Sequence, residues 1–157
     1  MKIKLLAIGK TDDKNLLQLI DEYQKRLNHY IKFEFELIPD LKNNRNLSEI
    51  QQKEKEGALI LKRVTAADQL ILLDERGHEF RSIEFSRFLQ KKMNAGIKQL
   101  VFVIGGPYGF SDAVYQKAQG KVSLSKMTFS HQMIRLFMIE QFYRAFTILK
   151  GEPYHHE

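Results

Sequence analysis

The segment LVFVIGGPYGFSD, residues 100–112, determines how the rest of the chain can be arranged. Its first five residues are all apolar, which is typical of a strand buried on both faces of a parallel sheet. The Gly-Gly-Pro-Tyr-Gly turn that follows leaves the backbone bare at the carboxyl end of that strand, and Ser111 can then begin a helix. The turn admits two interpretations. Either a ligand approaches the backbone there, or the glycines serve only the backbone angles of a tight turn.

Strands and helices alternate along the whole sequence. Apolar runs predict strands at residues 3–9, 31–39, 69–77, 97–106 and 121–125, and helical spacing predicts helices at residues 12–30, from Ser48, at 83–96, from Ser111 and at 130–151. This order favours an α/β fold with a mostly parallel sheet and helices on both of its faces. No repeat or linker interrupts the order, so the sequence predicts a single domain over residues 1–157.

Local signals refine this prediction. The clean alternation of apolar and charged residues in IKFEFELIP predicts an edge strand with one solvated face. Ser48 and Gln51 have the spacing of a capping box at a helix start. Ser82 is predicted to cap the following helix, and a turn is predicted at residues 75–77. The polar segment 40–46 predicts a loop.

Composition narrows the class of protein. The 157 residues carry a formal net charge of +6, which indicates either a nucleic-acid partner or simply a solvated basic surface. The absence of cysteine excludes disulfides, thiolate catalysis and cysteine-ligated zinc. With no apolar run of membrane-spanning length and no signal-like start, we expect a cytoplasmic protein that does not enter a membrane. The five histidines lack metal-ligand spacing, so no metal site is expected.

The glycine turn does not match the known phosphate-binding loops. It lacks the Gly-Lys-Ser/Thr triplet of a P-loop, and its glycines do not have the G-x-G-x-x-G spacing of a dinucleotide site. The sequence also contains no G-x-S-x-G elbow of a serine hydrolase. A flat, weakly charged ligand such as a nucleoside therefore suits the turn better than a pyrophosphate.

The last predicted helix is apolar around most of its circumference, from Met133 to Leu149. Such a helix must be covered on two sides. A domain of this size offers one core face, so the second face is predicted to contact another copy of the chain. The alternative is a fully central helix, which is unusual in a small α/β domain.

Four motifs occur in a fixed order: LLDERG, VIGGPYGFS, LSKMTFSHQMIRLFMIEQFYRA and a terminal PYHHE. In this combination the chain resembles the RlmH family over essentially its whole length. The family comprises small methyltransferases of the SPOUT, or trefoil-knot, superfamily that modify 23S ribosomal RNA. The combination is far more specific than any single glycine turn.

The resemblance implies a fold, a cofactor and partners. The C-terminal part of the α/β sheet would form a trefoil knot, which periodicity alone does not reveal. S-adenosyl-L-methionine would lie bent in that region, with its adenine held by backbone groups. The enzyme would be a homodimer that methylates N3 of a pseudouridine in the assembled ribosome. The matching cofactor-binding positions are Leu73, Gly105, Leu124, Ser125, Lys126, Met127, Thr128 and Phe129.

Methyl transfer to N3 of a uracil-type ring also requires the removal of a proton. His155 is a candidate base, Tyr154 a candidate stacking or hydrogen-bonding group, and Arg135 a candidate stabiliser of the developing oxyanion. Each has an alternative interpretation. Arg135 could pair with an acid across the dimer, and the terminal residues could be a frayed tail.

Two other functions remain compatible with the sequence. One is a ribosome-associated RNA-binding factor that keeps the fold without the chemistry. The other is a SPOUT methyltransferase that acts on tRNA. Cofactor binding would separate the first from an enzyme, and the identity of the modified RNA would separate the second.

Overall fold

A computed structural model describes residues 1–41 and 46–156. Within these residues the chain forms five strands and five helices in the alternating order that the sequence predicts. Their bounds are β1 Lys2–Ile8, α1 Lys14–Asn28, β2 Lys32–Ile38, α2 Glu49–Leu61, β3 Gln69–Glu79, α3 Ser82–Asn94, β4 Gln99–Ile104, α4 Asp112–Lys117, β5 Gly120–Ser123 and α5 Met133–Lys150. Four residues of the predicted polar loop, 42–45, lie outside the described residues.

All strand pairings in the described sheet are parallel, and the strand order is β2-β1-β4-β3-β5. The apolar run that begins at Leu100 forms β4, which lies between β1 and β3. This central place explains why Leu100 to Val103 are fully buried without a polar residue among them. The predicted α/β class with a parallel sheet is confirmed.

The helices form two layers, one on each face of the sheet. Alternate β4 residues Leu100 and Phe102 pack with α1, α3 and α5 in the larger core cluster. Val101 and Val103 face the other way and pack with α2 and α4 in the smaller cluster. The prediction of helices on both faces is therefore confirmed. Because successive side chains of β4 point to opposite faces of the sheet, the core consists of two clusters, one on each face.

Helix starts follow the sequence signals in two of three cases. Ser48 and Gln51 form the predicted capping box, with the Gln51 N–H 3.2 Å from Ser48 Oγ and the Ser48 N–H 3.0 Å from Gln51 Oε1. Ser111 directly precedes α4 as predicted. The prediction that Ser82 caps α3 is wrong, because Ser82 is already the first helical residue. The preceding N–H, that of Arg81, is 2.8 Å from Glu84 Oε2.

The turn predicted at residues 75–77 is also wrong, since β3 continues through Glu79. The pairing of β3 with β5 shifts register between Leu73 and His78, so the extra residues are accommodated as an irregularity within the strand. At Gly77 the two backbones approach so closely that a Cβ would lie 2.4 Å from the carbonyl carbon of Val122. The glycine that suggested a turn is required instead for this close strand contact.

The edge position of β2 is confirmed, because it pairs only with β1 among the described strands. Its charged face is partly covered rather than fully solvated. Lys4 Nζ is 2.9 Å from Glu36 Oε2, Arg63 Nε is 2.7 Å from Glu36 Oε1, and Lys2 pairs with Glu34. These ion pairs place charged side chains on the edge strand β2, and such charges disfavour pairing with a strand of another molecule.

The contact at Gly77 generates a prediction on stability. Replacing Gly77 with alanine should lower the free energy of unfolding by about 1–3 kcal/mol, because the new methyl group meets backbone that cannot move independently. Gly120→Ala is the matched control on the partner strand, where the nearest atom is the flexible end of Ile71, 3.1 Å away. Urea unfolding measures both. Equal losses for the two variants would contradict the proposed strand contact.

Candidate functional site

A cleft of about 570 Å³ opens at the carboxyl ends of β3, β4 and β5. Its volume falls within the range of roughly 300–1,000 Å³ that is usual for small-molecule sites. Three chain segments form its walls: residues 73–76 at the irregular part of β3, the glycine turn after β4, and the loop after β5. Ligand sites in parallel α/β sheets lie at this end of the strands.

The glycine turn has a defined geometry. Gly109 has a φ of +79°, and its N–H is 3.1 Å from the carbonyl oxygen of Gly106, which closes the turn around Pro107 and Tyr108. A Cβ at Gly105 would lie 3.0 Å from the Phe110 ring, and a Cβ at Gly106 would lie 2.2 Å from Glu56 Oε2. The positive φ of Gly109 fits the interpretation as a tight turn, and Gly105 and Gly106 permit close packing behind it. The front of the turn lines the cleft, so the approach of a ligand to its backbone stays a prediction.

Serine hydroxyls shape the loop after β5. Ser123 Oγ donates to the carbonyl oxygen of Ser125 at 2.9 Å, and Ser125 Oγ accepts from the Met127 N–H at 2.9 Å. Ser130 Oγ accepts from the Met133 N–H at 3.1 Å, at the start of α5. These bonds give the loop a fixed path without regular secondary structure.

The structure brings together every residue that the sequence assigned to cofactor binding. All of them line the one cleft: Leu73, Gly105, Leu124, Ser125, Lys126, Met127, Thr128 and Phe129. They come from three segments separated by about 30 and 20 residues in the sequence, which the parallel sheet aligns at one edge. Their role in holding a ligand stays a prediction.

Sequence reasoning missed a hydrogen-bonded pair on the cleft wall. Tyr115 Oη donates to Asp74 Oδ2 at 2.5 Å, and Asp74 Oδ1 accepts from the Arg76 N–H at 2.8 Å. Burial and the Asp74 carboxylate raise the pKa of Tyr115 to about 12, so the phenol remains a donor at neutral pH. The aspartate of the LLDERG motif was the available signal, but nothing in the sequence connects it to a tyrosine on α4.

Cationic side chains surround the same opening. Lys53, Arg76 and Lys126 line the cleft together with the carboxylates of Asp74, Glu75 and Asp112, and His131 lines it as well. Lys53 comes from α2 on the opposite side of the sheet from α5, so no local pattern could place it here. The mixture of signs suits a polar ligand that carries both positive and negative groups.

Arg135 lies elsewhere. Its side chain is 1% exposed, and its two terminal nitrogens donate to Thr11 Oγ1 at 2.6 Å and to the carbonyl oxygen of Ile8 at 2.7 Å. Burial lowers the pKa of Arg135, and the carboxylates of Asp40 and Asp12 oppose that shift. These bonds connect α5 to the end of β1, and Arg135 is not among the residues that line the cleft. Its catalytic role stays a prediction that this geometry does not support.

Comparison with known proteins identifies the family. A family described as predicted SPOUT methyltransferase matches residues 1–155. The chain belongs to the SPOUT methyltransferase family. Ribosomal RNA large subunit methyltransferase H of Flavobacterium johnsoniae is 71% identical over 157 residues, and the match covers 100% of both chains. The protein of the same name from Parabacteroides distasonis is 65% identical over 157 residues, again with 100% of both chains covered. The resemblance to the RlmH family is confirmed.

A solved structure supports the fold. The structure of a probable methylase family protein from Haemophilus influenzae superimposes with a TM-score of 0.51 at 12% sequence identity, over 99% of this chain and 70% of that chain. The strand order itself does not define a knot, so the trefoil knot of the SPOUT fold stays a prediction for this chain.

The C-terminal tail of this SPOUT protein packs on its own helices. Tyr154 Oη is 3.0 Å from Glu140 Oε1 and 3.3 Å from Tyr23 Oη, and the Arg144 guanidinium lies 4.8 Å from the centre of the Tyr154 ring. Arg144 Nη1 is also 3.4 Å from His155 Nδ1. Neither Tyr154 nor His155 lines the cleft, so the structure does not bring these two candidate catalytic residues together with the candidate cofactor-binding residues.

Helix α5 has two apolar faces, as its sequence predicts. Phe142 is fully buried in the larger core cluster, whereas Phe137 is 39% exposed. Phe137 packs against Phe129 with ring centres 5.3 Å apart. We call the group of Met127, Phe129, Met133 and Phe137 the apolar patch; it borders the cleft, because Met127 and Phe129 also line it.

Membrane-spanning helices and metal-binding clusters are both absent from the described residues. Residues 1–41 and 46–156 contain no helix that is long and apolar enough to cross a membrane. The same residues contain no group of three or more histidine, aspartate or glutamate side chains in a metal-binding arrangement.

Proposed function

We propose that this protein is an S-adenosyl-L-methionine-dependent methyltransferase that methylates N3 of a pseudouridine in 23S ribosomal RNA of the large ribosomal subunit. The observation that carries the proposal is the 71% identity, over both full chains, with a protein named ribosomal RNA large subunit methyltransferase H. The cleft supports it, because all residues assigned to the cofactor line one cavity. A ribosomal substrate is consistent with the net charge of +6 and with a cytoplasmic location.

The chemistry of the cleft fits S-adenosyl-L-methionine. The glycine turn at residues 105–110 has neither the Gly-Lys-Ser/Thr triplet of a P-loop nor the spacing of a dinucleotide loop, so it does not match a known pyrophosphate-binding loop. The apolar side chains of Leu73, Met127 and Phe129 line the cleft beside backbone of the turn and loop, which suits a purine ring. The carboxylates of Asp74 and Asp112 suit a cationic ligand group.

Bound S-adenosyl-L-methionine supplies a methyl group that its sulfonium already activates. The chain must then hold the nucleobase so that N3 lies in line with that methyl group, since positioning supplies much of the rate. The proton on N3 must leave as the new bond forms. We assign proton acceptance to His155 and base stacking to Tyr154. We assign Arg135 a structural role, in which its hydrogen bonds to Thr11 and Ile8 hold α5 against the end of β1. Electrostatic stabilisation of the developing oxyanion by Arg135 is the alternative assignment.

We further propose a homodimer in which the tail of one subunit acts at the cleft of the other. The apolar patch is an exposed apolar surface beside the cleft, and a second copy of the chain would cover it in a two-fold dimer. In its own subunit the tail contacts α5 near Glu140. Ile134, which lies on the cleft wall, is six residues earlier in the same helix, and the two residues are therefore about 9 Å apart along its axis. Antiparallel packing of two α5 helices across the patch would bring the C-terminal half of one helix toward the cleft beside the other.

The proposed function predicts the outcome of a complementation experiment. A strain that lacks the gene should lose one methylated pseudouridine from its 23S rRNA, and the parent protein should restore it. Gly105→Val should fail to restore it, because the added side chain presses on the Phe110 ring behind the turn and displaces the cleft wall. Nucleoside mass spectrometry of rRNA and tRNA measures the modification, and calorimetry measures cofactor affinity, which we expect to fall at least tenfold, about 1.4 kcal/mol.

The two alternative functions give different results in the same experiment. A change confined to tRNA nucleosides would indicate a tRNA methyltransferase. Unchanged nucleosides together with a parent protein that does not bind S-adenosyl-L-methionine would indicate a non-catalytic RNA-binding factor. Gly105→Val with parental affinity would show that the cofactor lies elsewhere.

The apolar patch predicts the effect of a charge on oligomeric state. Phe137→Glu should convert a dimer into monomers, because a carboxylate at the centre of the patch would be desolvated on association. Sedimentation at micromolar concentration measures the change. The control is Ile50→Glu, which places the same charge on an exposed apolar residue of α2, on the other face of the sheet. A parent protein that sediments as a monomer would refute the dimer.

The tail can be tested independently of the cleft. Deletion of residues 153–157 should abolish methylation while cofactor affinity and dimerisation stay close to those of the parent, because no residue of 153–156 lines the cleft. His155→Ala should lower the single-turnover rate more than RNA affinity. Tyr154→Ala should mainly weaken RNA binding, since stacking contributes about 1–3 kcal/mol per base.

Mixed dimers distinguish the two possible origins of the tail. A dimer of one Gly105→Val subunit and one tail-deleted subunit contains one intact cleft and one intact tail, on different chains. If the tail acts at the cleft of the other subunit, co-purified mixed dimers should regain up to half of the parental activity per dimer. Activity no higher than that of either inactive homodimer would indicate that the tail acts within its own subunit.

A further inference from the structure

Glu56 of α2 is a buried carboxyl group that the proposed chemistry does not use. The residue is 4% exposed. Its Oε1 accepts a hydrogen bond of 2.9 Å from Gln52 Nε2, one helical turn earlier. Its Oε2 is buried and has no hydrogen-bond partner among the described residues. A buried carboxyl oxygen without a partner carries a substantial desolvation cost, which destabilises the fold. We therefore expect the Glu56 carboxyl group to have a function that offsets this cost.

The carboxyl group lies directly against the glycine turn. A Cβ built on Gly106 would lie 2.2 Å from Glu56 Oε2 and 2.8 Å from both Oε1 and Cδ. All three atoms of the carboxyl group therefore pack against the Cα of Gly106. Gly106 itself lines the cleft, and its carbonyl oxygen accepts the hydrogen bond that closes the turn.

A second contact connects α2 to the other end of the same segment. A Cβ on Gly57 would lie 2.2 Å from Ser111 Oγ and 3.2 Å from Val114 Cγ2. Helix α2 thus contacts this segment twice: through the Glu56 side chain at the beginning of the turn, and through its backbone at Gly57 at the start of α4. Between these two contacts, the turn has little freedom to move away from the cleft.

The electrostatic environment favours the uncharged form of this carboxyl group. Burial raises the pKa of Glu56, the hydrogen bond from Gln52 opposes that shift, and the carboxylate of Asp40 adds to it. A protonated carboxyl group packs against a Cα with a smaller desolvation cost than a carboxylate would. The group can therefore serve as a packing surface for the turn.

We propose that Glu56 is a positioning residue for cofactor binding: its carboxyl group supports Gly106 from behind and holds the glycine turn in the conformation that forms the cleft wall. This inference rests on the proposed function, since it takes the cleft to be the S-adenosyl-L-methionine site. Glu56 is not among the residues that line the cleft, so it would act on the cofactor only through the glycine turn.

A double-mutant cycle tests the contact. Glu56→Ala should weaken S-adenosyl-L-methionine binding about tenfold or more by removing the support, and Gly106→Ala should do the same by pushing the turn off the carboxyl group. The φ of Gly106 is not positive, so the alanine itself introduces no backbone strain. In the double variant the new methyl group occupies the space that the carboxyl group leaves, and affinity should recover well above that of Gly106→Ala. Calorimetry with S-adenosyl-L-methionine measures all four proteins.

Two further variants separate positioning from stability. Glu56→Gln keeps the size of the side chain and its contact with Gln52, and it should retain affinity close to that of the parent. Ile60→Ala creates a cavity under the same helix and should lower the urea concentration at the midpoint of unfolding without changing cofactor affinity.

The possible results have distinct meanings. A parent protein that fails to bind S-adenosyl-L-methionine refutes the proposed function. If the parent binds but Glu56→Ala binds equally well, or if the effects of the two alanine substitutions simply add, the positioning role of Glu56 is refuted and the proposed function stands. A loss of affinity in Ile60→Ala equal to that in Glu56→Ala would show that any weakening of α2 has the same effect, which also overturns the proposal.

Discussion

The close approach of α2 to the backbone at Gly106 is the contact on which, in our proposal, the shape of the cleft depends. On one side of this residue lies the buried carboxyl group of Glu56, and on the other lies the space that we assign to a cofactor. No side chain can be added at Gly106 without displacing one of these neighbours. The turn can adopt this position because β4 is central in the sheet, where pairing with β1 and β3 fixes the place at which the turn begins.

The same arrangement explains why the cleft needs segments that are far apart in the sequence. Parallel strands end at one edge of the sheet, so the ends of β3, β4 and β5 converge there without further constraint. The irregular pairing of β3 with β5, with Gly77 against the backbone of Val122, includes residues 74–76, which line the cleft. Serine hydroxyls then hold the loop after β5 in a path that closes the third wall.

Helix α5 connects the cleft to the rest of the molecule. Its first turns carry Ile134, which lines the cleft, and Arg135, which bonds to the end of β1. Farther along, Phe142 is embedded in the core and Glu140 holds Tyr154 of the tail. One helix thus contacts the cleft, the core, the tail and the apolar patch. This shared position is why we relate the oligomeric state to catalysis in the proposed function.

The sequence by itself determined the order of strands and helices and the parallel α/β class, because hydrophobic periodicity acts locally. Its motifs carried the resemblance that predicts the cofactor-binding residues. It mispredicted the turn at residues 75–77 and the cap at Ser82, where a strand contact and a neighbouring residue outweighed the local signal. Only the tertiary structure decided which face of α5 is exposed, that Arg135 is buried, where the tail packs, and that Glu56 lies against Gly106. Each of these depends on contacts between residues far apart in the chain, which no local pattern records.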